Sequence, residues 1–115
     1  MTTIKVYPCS LASDTTFSSD VNFETEYLSA YLEIPTMTSA TRLFLEGSSD
    51  GTNFYQVFEP PINSATVSCN RFAITTTAVD NGALVPIPIG WKYARVEIQS
   101  TTCGTTATLF KFHCK

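Results

Sequence analysis

The sequence predicts an all-β chain that folds as a single-domain antiparallel β-sandwich or jelly roll of about seven to eight strands. Short segments in which apolar and polar residues alternate recur along the chain, and clusters of turn residues separate them. No long segment shows the spacing of an amphipathic helix. With 115 residues, the chain can form one hydrophobic core but not two, so we expect residues 1–115 to be one domain.

The N-terminal part is the least regular. A first strand is predicted over TTIKVYP and should end at Pro8, because proline lacks the N–H that a strand ladder uses. The polar residues 10–26 that follow predict a long loop or a weak edge strand. We therefore expect residues 1–26 to form an extended N-terminal arm or an edge segment.

The clearest alternation lies in YLSAYLEIP, which Pro35 ends. The residues predicted to face inward are Leu28, Ala30, Leu32 and Ile34. The residues predicted to face outward are Tyr27, Ser29, Tyr31 and Glu33. This pattern indicates a strand with one buried face.

Two strand-like segments, ATRLFLEG and NFYQVFEPP, flank the turn residues SSDGT. We expect Asp50 and Gly51 to set the bend of a hairpin, with Phe54 or Tyr55 filling the core beneath it. A calcium loop is the alternative, but calcium takes about six to eight oxygen ligands and this loop supplies few. Asn81 and Gly82 predict a second turn.

The remaining segments complete the predicted sandwich. Residues 62–79 predict one or two strands, and residues 83–90 predict an edge strand or a crossover because Pro86 and Pro88 cannot donate ladder hydrogen bonds. In WKYARVEIQS the alternation predicts an inward face made of Ala94, Val96 and Ile98. The last predicted strand, in TTATLFKFHCK, places Phe110 and Phe112 on one face.

Composition excludes several function classes. The net charge is −3 and the seven basic residues are scattered, so the clustered basic surface of a nucleic-acid-binding protein is missing. No apolar run is long enough for a signal peptide or a membrane span, so we expect a soluble protein made in the cytosol. With His113 as the one histidine and no nucleophile elbow or phosphate loop, we predict no enzyme activity, no cofactor and no metal.

The four cysteines allow three disulfide pairings, and the sequence does not choose among them. Their positions are Cys9, Cys69, Cys103 and Cys114. Cys103 and Cys114 bracket one predicted strand, about 35 Å apart, so they should not pair with each other. A mixed metal site of Cys114 with His113 is the alternative to buried thiols, which are the expectation.

Several aromatic residues fall on strand faces opposite the predicted apolar stripes. They are Tyr27, Tyr31, Phe44, Trp91 and Tyr93. Exposed aromatic side chains can anchor a protein interface or stack on sugar rings, so these residues are the candidate interface. The alternatives are strands buried on both faces, or a register slip of one residue that exchanges the faces.

Three blocks of the sequence occur in a recognisable order: EIPTMTSATRLFLEGSSDGTNFYQVF, LVPIPIGWKYARVEIQS and TTCGTTATLFKF. They contain two IP segments, an SAT-L-F-type strand, an S-x-DG-x-x-[FY] turn, a K-Y-x-R-V strand and a Thr-rich turn. In this order and spacing, the segment from Ser39 to Lys115 resembles small virion-associated proteins of tailed bacteriophages.

The resemblance implies a non-enzymatic structural protein, made in the host cytoplasm, that assembles into the virion. Its most specific implication is a capsid decoration (cement) protein that forms a homo-oligomer and contacts the major capsid protein. A neck or tail ring component is an alternative. The four cysteines and the polar N-terminal segment depart from the family pattern.

A second function is also consistent with the residues. The S-x-DG-x-x-F and R-V pieces resemble discoidin-type sandwiches, many of which bind carbohydrate or lipid through loops. A receptor- or carbohydrate-binding module of a tail fibre or tail tip would hold a glycan through Trp91, Tyr93 or residues 47–53.

Overall fold

The computed structural model describes residues 4–12, 15–35, 41–58, 71–76, 82–88, 90–99 and 108–115, which form two antiparallel β-sheets. The strands are β1 (Lys5–Leu11), β2 (Val21–Asn22), β3 (Ala30–Ile34), β4 (Thr41–Ser48), β5 (Tyr55–Gln56), β6 (Ala73–Thr76), β7 (Ala83–Ile87), β8 (Tyr93–Ile98) and β9 (Thr108–Cys114). The predicted all-β antiparallel sandwich is therefore confirmed. Two of the nine strands, β2 and β5, have only two residues each, which is too short to show alternation in the sequence.

The first sheet has the strand order β1-β9-β3-β7. The second sheet has the order β2-β8-β4-β5, and β6 also pairs with β4. Within the described ranges, no helix is long and apolar enough to cross a membrane.

The core lies between the sheets and follows the predicted alternation. Ala94, Val96 and Ile98 of β8 are buried, as are Phe110 and Phe112 of β9. The inward positions of β3 are also buried, namely Ala30, Leu32 and Ile34. Leu28 was expected among them, but its side chain is 94% exposed because the strand begins only at Ala30.

The prediction that Pro8 ends the first strand is wrong. Strand β1 continues through Pro8 to Leu11 and pairs with β9 along its whole length. It is the edge strand of its sheet, and an edge strand accepts proline because it has a neighbour on one side only. Strand β7, which contains Pro86, is the opposite edge, as the sequence predicted.

Residues 17–23, between β1 and β3, lie along the second sheet. Phe17 forms an isolated bridge with Glu97, and Val21 and Asn22 pair with β8. Ser18 connects this segment to β8 through two hydrogen bonds with Val96. The Val96 N–H donates to the Ser18 hydroxyl at 2.8 Å, and the Ser18 N–H donates to the Val96 carbonyl at 2.9 Å. These contacts place Phe17 on the outer side of β8.

Candidate interaction surface

The outer face of the first sheet carries exposed apolar side chains from all four of its strands. We call it the open face and define it by Val6, Pro8, Tyr31, Leu84, Pro86 and Leu109 with the central polar residues Glu33, Lys111 and His113. The four large apolar side chains other than proline are each between 42% and 59% exposed. Exposed apolar side chains grouped on one sheet face make it a candidate interaction surface, although Glu33, Lys111 and His113 interrupt the apolar area at its centre.

The strand register arranges the open face in rows. One row runs Val6, His113, Tyr31, Pro86 across the four strands, and the next runs Pro8, Lys111, Glu33, Leu84. His113 Nε2 lies 2.8 Å from Glu33 Oε1, so these two polar groups satisfy each other at the centre. The apolar side chains surround this pair on both edges.

The outer face of the second sheet carries a network of aromatic and charged side chains that pack on one another, with Phe17 still 42% exposed. We call it the covered face and define it by Phe17, Phe44, Glu46, Phe54, Arg71, Arg95 and Glu97. The Arg95 guanidinium lies 4.1 Å from the ring centroid of Phe17 and 4.3 Å from that of Phe54. Its Nη2 atom is 2.7 Å from the Glu46 carboxylate, whose residue is only 6% exposed.

Arg71 extends the same network. Its guanidinium lies 4.2 Å from the Phe44 ring centroid and contacts the carboxylates of Glu97 at 3.1 Å and Glu46 at 3.4 Å. The Arg71 Nε atom is buried and has no hydrogen-bond partner within the described part of the chain. Sequence reasoning missed Arg71, because its partners lie 25 and 26 positions away.

The β4–β5 hairpin contributes part of this cover. Gly51 has φ +78°, and a Cβ atom built there would lie 3.1 Å from the Tyr93 ring, so the bend lies directly against that ring. Asp50 Oδ1 accepts hydrogen bonds from the N–H groups of Asn53 and Thr52, at 2.8 and 2.9 Å. These bonds hold the pKa of Asp50 well below its usual range.

The expectation that Phe54 or Tyr55 fills the core beneath the hairpin is wrong. Tyr55 is 69% exposed, and the Phe54 ring lies against Arg95 on the outside of the sheet. Val57 is the buried residue that follows the bend. Register explains the position of Phe54, since Tyr55 pairs with Gly47 and the residue before it therefore points outward. Tyr55 is in the inward phase but stays exposed in the two-residue strand β5 at the end of the sheet order.

A pocket with a volume of about 480 Å³ lies at the end of the sandwich where β8 begins and β9 ends. We call it the end pocket; it is lined by Phe23, Glu24, Thr25, Glu26, Tyr27, Gly90, Trp91, Lys92 and Cys114. The hydroxyl groups of Tyr27 and Tyr7 are hydrogen-bonded, and this bond raises the pKa of Tyr27 to about 12. The Trp91 ring lies against Gly47, where a Cβ atom would be 2.5 Å from Trp91 Cδ2.

The five candidate interface residues thus fall in three places. Tyr31 is on the open face, Phe44 and Tyr93 are on the outer side of the second sheet, and Tyr27 and Trp91 line the end pocket. The structure therefore does not bring them together as one site. An outward position on a strand was a poor guide to exposure wherever another segment folds over the sheet.

The other predicted positions are only partly described. Gly82 has φ +80° just before β7, whereas Asn81, Cys69 and Cys103 lie outside the described residues. Cys9 and Cys114 are free thiols in the core, and burial raises the pKa of both, that of Cys114 to about 11. In the ranges that the structure describes, no group of three or more His, Cys, Asp or Glu side chains could hold a metal ion.

Comparisons of the chain with protein-family models, curated proteins and solved structures found no match.

Proposed function

We propose that this chain is a non-enzymatic virion structural protein, a capsid decoration protein that docks through its open face onto the shell. The observation that carries the proposal is the contrast between the two sheets. On one outer face the aromatic and charged side chains of the same chain pack on one another, with Phe17 and Phe58 left 42% and 49% exposed. In the described ranges, the other face has no such network and exposes Val6, Tyr31, Leu84 and Leu109. The resemblance to small phage virion proteins supplies the virion context.

The size of the open face sets the strength of one contact. Four strands about 4.8 Å apart and about five residues long at about 3.3 Å each give roughly 300 Å² per partner. A standard interface buries about 800 Å² per partner, so one open face supports only a weak contact. A homo-oligomer on a repeating shell would present several such faces together, and the combined contacts would bind more tightly than one.

The contribution to the particle would be mechanical. At about 25 cal/mol per Å², burying roughly 600 Å² counted over both partners gives at most about 15 kcal/mol, against association costs of about 4 to 15 kcal/mol. If the protein docks across neighbouring shell subunits, the burial energy that exceeds the association cost would strengthen the contact between those subunits. Particles with the protein should then resist heat better than particles without it.

The test uses particles assembled from the genes that surround this one. Deleting the gene should lower the temperature at which particles release their genome, and adding back the wild-type protein should restore it. The double variant Leu84→Lys/Leu109→Lys should fail to restore it, because it places charges on the open face. Tyr55→Lys is the matched control, since it changes an exposed apolar residue away from that face.

The results separate the possible outcomes. Unchanged heat and pressure resistance in particles that lack the protein would contradict a decoration role. Electron cryomicroscopy of wild-type particles should show the chain repeated over the icosahedral shell. Density confined to the tail axis or fibre tips would instead favour the neck component or the receptor-binding module.

A further inference from the structure

The end pocket is a concavity that neither the open face nor the covered face uses. Three segments that are distant in sequence line it: residues 23–27, residues 90–92 and Cys114. Its volume of about 480 Å³ falls within the range of small-molecule sites, which is about 300 to 1,000 Å³. The pocket therefore has room for a small ligand or for one long side chain of a partner.

The aromatic part of the lining is held in place. Tyr27 is fixed by its hydroxyl bond to Tyr7, whose oxygen also accepts the N–H of Glu24 at 3.3 Å. Phe23 packs edge-to-face on Tyr7 and on Phe112 in the core, with ring centroids 5.4 and 5.5 Å apart. The Trp91 ring packs closely against Gly47, which limits its movement. A preformed pocket loses little entropy when it binds a ligand.

The charged part of the lining is negative on balance. The lining includes two acidic residues, Glu24 and Glu26, and one basic residue, Lys92. The ammonium group of Lys92 lies 5.6 Å from the ring centroid of Tyr93, which is not a lining residue. Burial keeps Cys114 a neutral thiol at neutral pH, because its pKa is raised to about 11.

We propose that the end pocket binds an alkylammonium group, held between the rings of Tyr27 and Trp91 and the carboxylates of Glu24 and Glu26. Aromatic rings attract organic cations through their negative faces, and carboxylates add a direct charge interaction. The group could belong to a quaternary amine such as choline or to the lysine side chain of a partner protein, which share this chemistry. The proposal does not depend on virion decoration, because the pocket and the open face have no defining residue in common.

The experiment uses Trp91, the single tryptophan of the chain, as the probe. The full chain is titrated with choline, with Nα-acetyl-lysine amide and with 3,3-dimethylbutan-1-ol, the neutral isostere of choline. We expect saturable changes in Trp91 fluorescence with at least one of the cations and at least a 10-fold weaker response to the neutral alcohol. Tighter binding of choline would identify a free quaternary amine, and tighter binding of the lysine derivative would identify a partner side chain.

Variants test the charge directly. Glu24→Gln/Glu26→Gln should weaken binding of the preferred cation by about 10-fold and leave the melting temperature unchanged, because both side chains are exposed. Glu33→Gln on the open face is the matched control and should leave binding unchanged. Three results would overturn the proposal. They are equal affinity for choline and its neutral isostere, unchanged affinity of the double variant for the preferred cation, and no saturation with either cation.

Discussion

The two sheets alternate inward and outward residues in the same way, yet their outer faces are completed differently. On the covered face, the Arg95 guanidinium contacts the rings of Phe17 and Phe54, and Phe17 itself remains 42% exposed. On the open face, Tyr31 and Leu109 stand at equivalent outward positions and remain exposed. The difference is that side chains of the same chain interact across the covered face, whereas the open face is the one to which we assign a partner in our proposal.

The largest expected effect comes from removing the central cation of the covered face. Arg95→Ala should lower the free energy of unfolding by about 2 to 4 kcal/mol, because it leaves the buried Glu46 carboxylate without its closest partner. Urea denaturation would measure the change. Arg42→Ala is the control, since Arg42 is exposed and lies farther from its aromatic neighbour, at 5.5 Å from the Phe44 centroid. Equal losses in the two variants would contradict a structural role for the network.

The next effect tests the hairpin that helps to cover this face. Gly51→Val should cost about 2 kcal/mol, because a β-branched residue is strained at φ +78° and its Cβ atom would press on the Tyr93 ring. Ser49→Val, in the same bend and exposed, should change stability by less than about 0.5 kcal/mol. Thermal melting of both variants measures the difference. Unchanged melting of Gly51→Val would contradict the claim that the bend at Gly51 stabilises the hairpin.

A matched pair compares the two outer faces directly. Phe54→Ala removes a ring stacked on Arg95 and should cost about 1 to 2 kcal/mol. Leu109→Ala removes an exposed apolar side chain of the open face and should cost less than about 0.5 kcal/mol. If urea denaturation shows Leu109→Ala to be the more damaging change, the open face is part of the folded unit and not a free surface.

The smallest expected effect is the pH dependence of the hairpin. Asp50 has a lowered pKa in the folded chain, so its contribution to stability is present above its unfolded pKa of about 4 and is lost as the pH falls below that value. The effect is small because Asp50 is exposed to solvent. Melting temperatures measured from pH 5 to pH 2 should fall less steeply for Asp50→Asn than for the wild type. Parallel curves would show that the carboxylate charge does not stabilise the bend.

The sequence by itself predicted which residues of β3 and β8 face the core, apart from Leu28, and that Phe110 and Phe112 of β9 share one face. Alternation has a period of two residues and is set by the strand backbone alone, so Val96, Ile98, Phe110 and Phe112 could be assigned without knowing their neighbours. Proline chemistry likewise left β7 either an edge strand or a crossover, and the structure makes it an edge strand. The same local rules failed at Pro8 and Leu28, where the outcome depends on which strand lies alongside and where pairing starts.

Only the tertiary structure decided what covers the outward residues. Phe17, Phe54 and Arg71 come from three separate parts of the chain and meet on one sheet face, and no local pattern specifies such a meeting. The end pocket is likewise assembled from the segments that carry Tyr27, Trp91 and Cys114. Alternation predicts on which side of a strand a residue lies. Whether that side is buried depends on long-range packing, which the periodicity of one strand does not predict.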